Sequence, residues 1–225
     1  MQQFIELLAV VSSAIYGVLL ARKYNMDLVG VFSLAFILAF GGGTLRDVFL
    51  DRHPLFWIRE NHYAVIVFFI AIAAFFIPRY PKKTEQYLNL PDALGLGLFS
   101  VTGADAAIDA GTSWFIASML GAVTGTFGGV MGDVICNRIP SLFRPSTPFF
   151  ATCSFVGSWV FIVLNSVPAL QPSAALLSIL FIVLFRLAAI RYHWTLPSLK
   201  DDTYDELADE LPHQLLDESS GDGGV

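Results

Sequence analysis

Charge is scarce in this chain. Only 14% of its 225 residues are Asp, Glu, Lys or Arg, where soluble domains carry about 25%, and this excludes an ordinary water-soluble fold. Cysteine is scarcer still: Cys136 and Cys153 are the only two. Both lie in or near apolar segments without partner spacing, so they read as free thiols rather than a disulfide or a metal pair. The four histidines, His53, His62, His193 and His213, lie in loops, at segment ends or near the C-terminus. They suggest neither a metal cluster nor a Ser-His-Asp set, and no metal site and no enzymatic activity is expected. The start, Met1-Gln2-Gln3, lacks the basic region and cleavage site of a secretory signal, so the first apolar segment is expected to be retained. Basic residues are absent beyond Lys200, where nine acids occur, while residues 1–200 hold all 13 basic residues and ten acids. The net charge of −6 therefore describes a mildly basic body with an acidic tail. The tail is expected to be a short amphipathic stretch followed by disorder.

What the chain has in plenty is apolar sequence: 55% of residues, with a mean hydropathy of +0.64. Seven apolar segments read as membrane spans, the first of them long enough to cross a hydrocarbon core of about 30 Å. They run from about Phe4 to Ala21, Leu28 to Leu50, Tyr63 to Ile77, Leu90 to Ala110, Ser113 to Asn137, Phe149 to Val167, and from after Pro172 to Ile190. The loops after spans 1, 3, 5 and 7 hold nine basic residues, Arg22, Lys23, Arg79, Lys82, Lys83, Arg138, Arg144, Arg191 and Lys200, against Arg52 and Arg59 on the other side. The positive-inside rule then places the N-terminus outside and the C-terminus in the cytoplasm. Arg79, Lys82, Lys83, Arg138 and Arg144 serve either as topology-setting charge or as contacts for anionic lipid headgroups.

Gly41-Gly42-Gly43-Thr44-Leu45-Arg46-Asp47 interrupts the second span, and Gly128-Gly129-Val130-Met131-Gly132-Asp133 stands 86 positions later in the fifth. The same shift aligns Gly17 with Gly103, Glu6 with Asp92, Asp47 with Asp133, Arg52 with Arg138 and Pro54 with Pro140. Spans 1–3 thus correspond to spans 4–6. Each unit crosses an odd number of times, so the copies enter from opposite sides as an inverted repeat. The expected fold is an all-α polytopic membrane protein, with repeats over 1–85 and 86–170, a seventh helix over 171–200 and the tail over 201–225.

Each glycine costs a helix roughly 1 kcal/mol relative to alanine. Gly121 and Gly125 read as packing surfaces, while Gly41–Gly43 and Gly128–Gly129 read as breaks in the helices facing a hydrated interior. The triple glycine lacks the Lys-Ser/Thr of a phosphate loop. Arg46, Asp47, Asp105, Asp133 and Arg186 fall at or near membrane depth, where each needs a partner or water. Adjacent helical residues diverge by about 100°, so Arg46 is expected to pair with Asp133 or Asp105 of the other repeat rather than with Asp47. These charges form either a structural network or a polar path. Glu6, Ser13 and Tyr16 share one helical face, as do Thr102, Asp105 and Asp109, and the acids would favour cations. Hydroxyls of Thr44, Thr102 and Thr126 would stand in for hydration water.

Two long motifs, GGGTLRDVFLDRHPLFWI at 41–58 and GTFGGVMGDVICNRIPSLFRP at 125–145, make the chain resemble the prokaryotic TRIC (trimeric intracellular cation) channel family, also labelled a putative glycine transporter. The resemblance covers roughly residues 4–190. It implies seven helices with spans 2 and 5 kinked at the glycines, a homotrimer with one K⁺/Na⁺ pore per protomer lined by spans 1, 2, 4 and 5, and phospholipid in grooves beside the pore. No cofactor and no nucleic-acid partner is expected. The chain departs from the pattern at Gly132, which stands where the first copy has Arg46, while family members often carry an Arg-Asp pair in both copies. Arg46 is thus expected to be the single fixed cation of an otherwise acidic path. A secondary transporter of a small zwitterion such as glycine shares the inverted repeats and broken helices, with a substrate carboxylate held at the helix N-termini. A membrane scaffold is a third reading.

Overall fold

Asp27 and Ser113 lie 86 residues apart and do the same work. The Asp27 carboxylate accepts a hydrogen bond from the Gly30 amide at 2.8 Å, and the Ser113 hydroxyl accepts one from the Ile116 amide at 3.4 Å. Each satisfies one of the free N–H groups at a helix start. In the computed structural model, which describes residues 2–76, 85–144 and 147–196, the helices these caps begin are Leu28–Phe49 and Trp114–Ile135, of 22 residues each. The correspondence continues bond for bond. Leu50 and Cys136 cap the far ends through the carbonyls of Arg46 and Gly132. Asp51 and Asn137 then turn the chain in the left-handed region, at φ 49° and 52°, a conformation that short polar side chains tolerate. Before each cap the left-handed position is Asn25 in one copy and Gly111 in the other, at φ 53° and 76°.

The helices are α1 (Gln2–Lys23), α2 (Leu28–Phe49), α3 (Phe56–Arg59), α4 (His62–Phe76), α5 (Glu85–Asp109), α6 (Trp114–Ile135), α7 (Ala151–Asn165) and α8 (Gln171–Tyr192), with a 3₁₀ turn at Ser141–Phe143. All seven expected spans are present as helices. The short α3 and the 3₁₀ turn occupy corresponding places in the two repeats. By length and composition α1, α2, α6 and α8 are apolar enough to cross a membrane; α4 and α7, at 15 residues, are shorter apolar helices. α5 begins five residues before the expected Leu90 and continues through Pro91. Phe68, Phe69, Phe75, Phe76, Leu176, Leu180 and Leu184 lie exposed on α4 and α8, as a lipid-facing surface requires. The expectations for Arg79, Lys82, Lys83 and residues 201–225 fall outside the described residues.

α1, α2, α5 and α6 form the centre: α1 packs on α2 and α5, and α6 packs on α2 and α5. α4 flanks the first pair, α7 the second, and α8 covers α5 and α7. The glycines permit this. A Cβ on Gly128 would stand 2.8 Å from the Leu38 carbonyl oxygen, and one on Gly42 would collide with the carbonyl of Thr124. Leu38 and Thr124 are themselves 86 apart, so each helix presses its glycine onto the other's backbone about a two-fold axis. Gly17 against the Leu34 carbonyl (2.9 Å) and Gly103 against the Leu120 carbonyl (3.0 Å) repeat the device within each copy.

One expectation is corrected here. The hydrogen-bonded helix runs uninterrupted through Gly41–Gly43 and through Gly128–Gly129. Gly42 and Gly128 remove side chains where backbones meet, as Gly121 and Gly125 also do, while Gly41 and Gly43 make room for the Met131 and Phe56 side chains. Close packing repays the lost helix propensity.

Alanine is the better helix former by about 1 kcal/mol, so any loss on substitution measures packing. Gly42→Ala and Gly128→Ala are each expected to destabilise the purified protein by about 1–3 kcal/mol or more through overpacking. A Cβ on Gly129 would meet only Phe150, at 3.7 Å, and Gly129→Ala should be neutral or stabilising. Thermal unfolding in detergent decides; equal stability of all three variants would contradict the crossing.

Candidate functional site

Arg46 lies on the buried side of α2 with 1% of its surface exposed. Its Nη1 meets Glu6 Oε1 at 3.1 Å and its Nε meets Asp47 Oδ1 at 2.9 Å. Its guanidinium also lies over the Phe56 ring, 5.2 Å from the centroid. Asp47 Oδ2 accepts from the Phe56 amide at 2.7 Å, which fastens α3 to the end of α2. Both partners of Arg46 therefore come from its own repeat, and neither Asp133 nor Asp105 is among them. The neighbouring Asp47 does reach it, through the arginine's Nε, despite the angular offset of adjacent positions. Around this cluster Thr44 accepts from the Trp57 indole at 3.1 Å, the Tyr63 hydroxyl donates to the Gln3 carbonyl at 3.2 Å, and Gln2 donates to Asp105 at 2.6 Å.

The second repeat builds its cluster differently. Asp133, at the end of α6, accepts from the Ser141 amide (2.7 Å) and hydroxyl (2.8 Å), so it ties down the 3₁₀ turn as Asp47 ties down α3. Its other oxygen lies 3.4 Å from Arg138, which also donates to the Tyr24 hydroxyl at 3.0 Å. Asp92, the counterpart of Glu6, has no cation at position 132 and instead meets Arg186 of α8 at 3.4 Å. Arg186 donates to the carbonyls of Pro148 (2.8 Å) and Phe149 (3.3 Å) and lies 4.6 Å from the Phe150 ring centroid.

Beside the second cluster lies a cavity of about 270 Å³. Tyr16, Leu20 and Lys23 of α1, Asn89 and Asp92 of α5, Gly129 and Asp133 of α6, Arg138, Ser141, Phe150 and Arg186 line it. Three basic side chains thus face two carboxylates, which corrects the picture of one arginine in an acidic path. A second, narrower space of about 20 Å³ continues it between Ser13, Leu38, Gly95, Phe99, Thr124 and Gly128, sharing Tyr16, Asp92, Gly129 and Phe150 with the first. That volume holds about one water.

Of the residues singled out from the sequence, the structure brings Ser13, Tyr16, Gly125, Gly128, Gly129, Asp133, Arg138 and Arg186 to these spaces. Arg46 and Asp47 form the opposite cluster, with Asp105 beside it. Gly41, Gly42 and Gly43 face Met131, Thr124 and Phe56. Thr102 and Thr126 donate to the Phe99 and Ala122 carbonyls of their own helices and line neither space. Arg144 donates to the Ile139 carbonyl. Missed were Asp92, Leu38, Phe99 and Thr124; the 86-residue shift marks Asp92 through Glu6 and Thr124 through Leu38. Among the described residues no group of three or more His, Cys, Asp and Glu side chains is arranged to hold a metal.

The sequence model of a family described as glycine transporter matches residues 3–79 and again 89–166, two units whose starts are 86 residues apart. The chain is 36% identical to the inner membrane protein YadS of Escherichia coli K12 over 193 residues, covering 84% of this chain and 91% of that protein. It is 36% identical to a membrane protein of Vibrio cholerae over 187 residues, 82% and 77% of the two chains. Among solved structures it is similar to the TRIC trimeric intracellular cation channel orthologue from Rhodobacter sphaeroides, with a TM-score of 0.79 at 30% identity, covering 85% of this chain and 97% of that one. A further structure, solved to explain conductance through TRIC cation channels, gives a TM-score of 0.77 at 30% identity over 88% and 97%.

Removing one partner of a buried ion pair costs about 3–5 kcal/mol, because the other charge is left uncompensated. Asp47→Asn is therefore expected to lower the thermal midpoint and folding yield strongly. Asp109→Asn, at the exposed end of α5, should change stability by about 0.5 kcal/mol or less. An Asp47→Asn protein as stable as the parent would remove Asp47 from the network.

Proposed function

The chain belongs to the TRIC cation-channel family, and on that premise we propose that it carries monovalent cations, K⁺ and Na⁺, across the inner membrane through a separate pathway in each protomer of a homotrimer. The observation that carries this reading is the hydrated-scale cavity beside Tyr16, Asp92 and Asp133, which runs on between the two repeats at the α2–α6 crossing. A cation entering it meets the carboxylates of Asp92 and Asp133, each paired with an arginine. Farther in, the hydroxyls of Ser13, Tyr16 and Thr124 are positioned to replace part of its hydration shell. Leu38 and Phe99 narrow the same space to about one water, so this conformation is closed, and conduction requires α2 and α6 to part there. Arg46, held between Glu6 and Asp47, is the obstacle at the other end. With the N-terminus outside, as the positive-inside rule predicts, the cavity faces the cytoplasm.

The transporter reading loses its main support at the glycines. A substrate carboxylate would be held by helix N-termini freed at a break, and α2 and α6 run through their glycines without one. Phospholipid beside the pathway, with Arg144 as a headgroup contact, is part of the same proposal.

Planar-bilayer recording of the purified protein tests it. Discrete unitary currents that reverse at the K⁺ equilibrium potential in a KCl gradient are expected. Silent bilayers, together with saturable glycine uptake into proteoliposomes, would replace the channel with a transporter.

A further inference from the structure

The second repeat is one arginine short, and the structure supplies one from outside the repeats. Glu6 and Asp92 occupy equivalent positions, and each is met by a buried guanidinium: Arg46 at 3.1 Å and Arg186 at 3.4 Å. Each arginine also lies over an aromatic ring, Phe56 or Phe150. Arg46 belongs to the repeat, whereas Arg186 comes from α8. We infer that Arg186 takes the place of the arginine missing at position 132, and that as counter-charge of Asp92 it sets how strongly the cytoplasmic-side cavity attracts cations. This inference rests on the channel reading and makes the seventh helix a working wall of the pathway.

Three observations support it. Arg186 lies on the buried stripe of α8 with Ser178, Ile179, Ile182, Val183 and Ala189, so it is aimed inward with 6% of its surface exposed. Gly97 lets α8 approach closely: a Cβ there would stand 3.2 Å from the Ile179 carbonyl oxygen. The charge is also less fully cancelled than that of Arg46. Among the described residues Arg46 meets two carboxylates, but Arg186 meets one, at longer range, and its other hydrogen-bond partners are backbone carbonyls. Its Nε is buried and has no hydrogen-bond partner among the described residues. Asp133, which in the first repeat's pattern would share the arginine, is held by Arg138 and Ser141 instead. The cavity wall therefore keeps a residual positive field from Arg186, and permeant cations must enter against it.

The test is unitary K⁺ conductance of Arg186→Gln, Asp92→Asn and the double variant at 0.1 M and 1 M KCl, where the screening length is about 10 Å and about 3 Å. Arg186→Gln is expected to raise conductance at 0.1 M by about twofold or more and Asp92→Asn to lower it, both converging on the parent at 1 M, as focusing by fixed charge requires. The double variant should return towards the parent at both concentrations. An unchanged conductance in Arg186→Gln, or a change that persists at 1 M, overturns the inference. If Arg186→Gln does not fold, the double variant, which leaves no charge uncompensated, is expected to fold and conduct. If the double also fails, Arg186 acts only through its carbonyl and ring contacts, and the inference falls. Should the parent itself pass no current, thermal midpoints of the same variants separate the two ideas: a double variant more stable than either single keeps the Arg186–Asp92 pairing while the channel reading falls, and strict additivity removes the pairing.

Discussion

Gly42 rests on the Thr124 carbonyl and Gly128 on the Leu38 carbonyl, and the depth of this double contact sets where everything else in the molecule stands. With a methyl group at either position α2 and α6 would be pushed apart, and the four central helices would no longer meet about a common axis. Within each copy, Gly17 and Gly103 hold the first helix to the second by the same means. In a bilayer, lipid tails are as apolar as leucine, so association depends on such close contact rather than on a hydrophobic driving force. The glycines are placed where carbonyls of the opposing helix arrive.

That frame then dictates how the buried charges are arranged. A guanidinium at membrane depth must be paired, and the first repeat provides Glu6 and Asp47 within reach of Arg46. The two-fold relation would place the same group at position 132, but glycine stands there, with Leu38 packed over it. The repeat is thus symmetric in backbone and asymmetric in charge. The first cluster holds a paired arginine, and the second borders a cavity of about 270 Å³ whose cations come from the end of α1, a loop and α8. Asp47 and Asp133 keep the same second duty in both copies, each anchoring the segment that follows its helix through a backbone amide. Their symmetry is therefore structural, whatever ions pass nearby.

Much of this was legible in the residues. Seven apolar stretches appear as helices, and the 86-residue shift holds down to individual caps and left-handed positions, because helix caps and turns are local: Asp27, Ser113, Asn25, Gly111, Asp51 and Asn137 act on backbone within a few positions of themselves. The shift also related Glu6 to Asp92 and Gly42 to Gly128, so both charge clusters were marked in outline. What the sequence could not convey was the direction of each contact. A glycine cluster in an apolar run is compatible with a break or with a crossing, and only an opposing carbonyl at van der Waals range makes it a crossing. Arg46 was compatible with carboxylates in either repeat, and its choice depends on the rotation of α1 about its own axis, which the packing of Gly17 on α2 decides.

By itself, then, the sequence determined the membrane class, the seven apolar helices, the inverted duplication and the absence of an arginine at 132, since these follow from hydropathy, local capping and register. The tertiary structure decided that the helices run whole through their glycines, that Arg46 pairs within its own repeat, and that Arg186 reaches Asp92. The physical reason is the same for all three: each depends on which surface of one helix faces which surface of another, and helix-to-helix approach is governed by side-chain volume at points far apart in the chain.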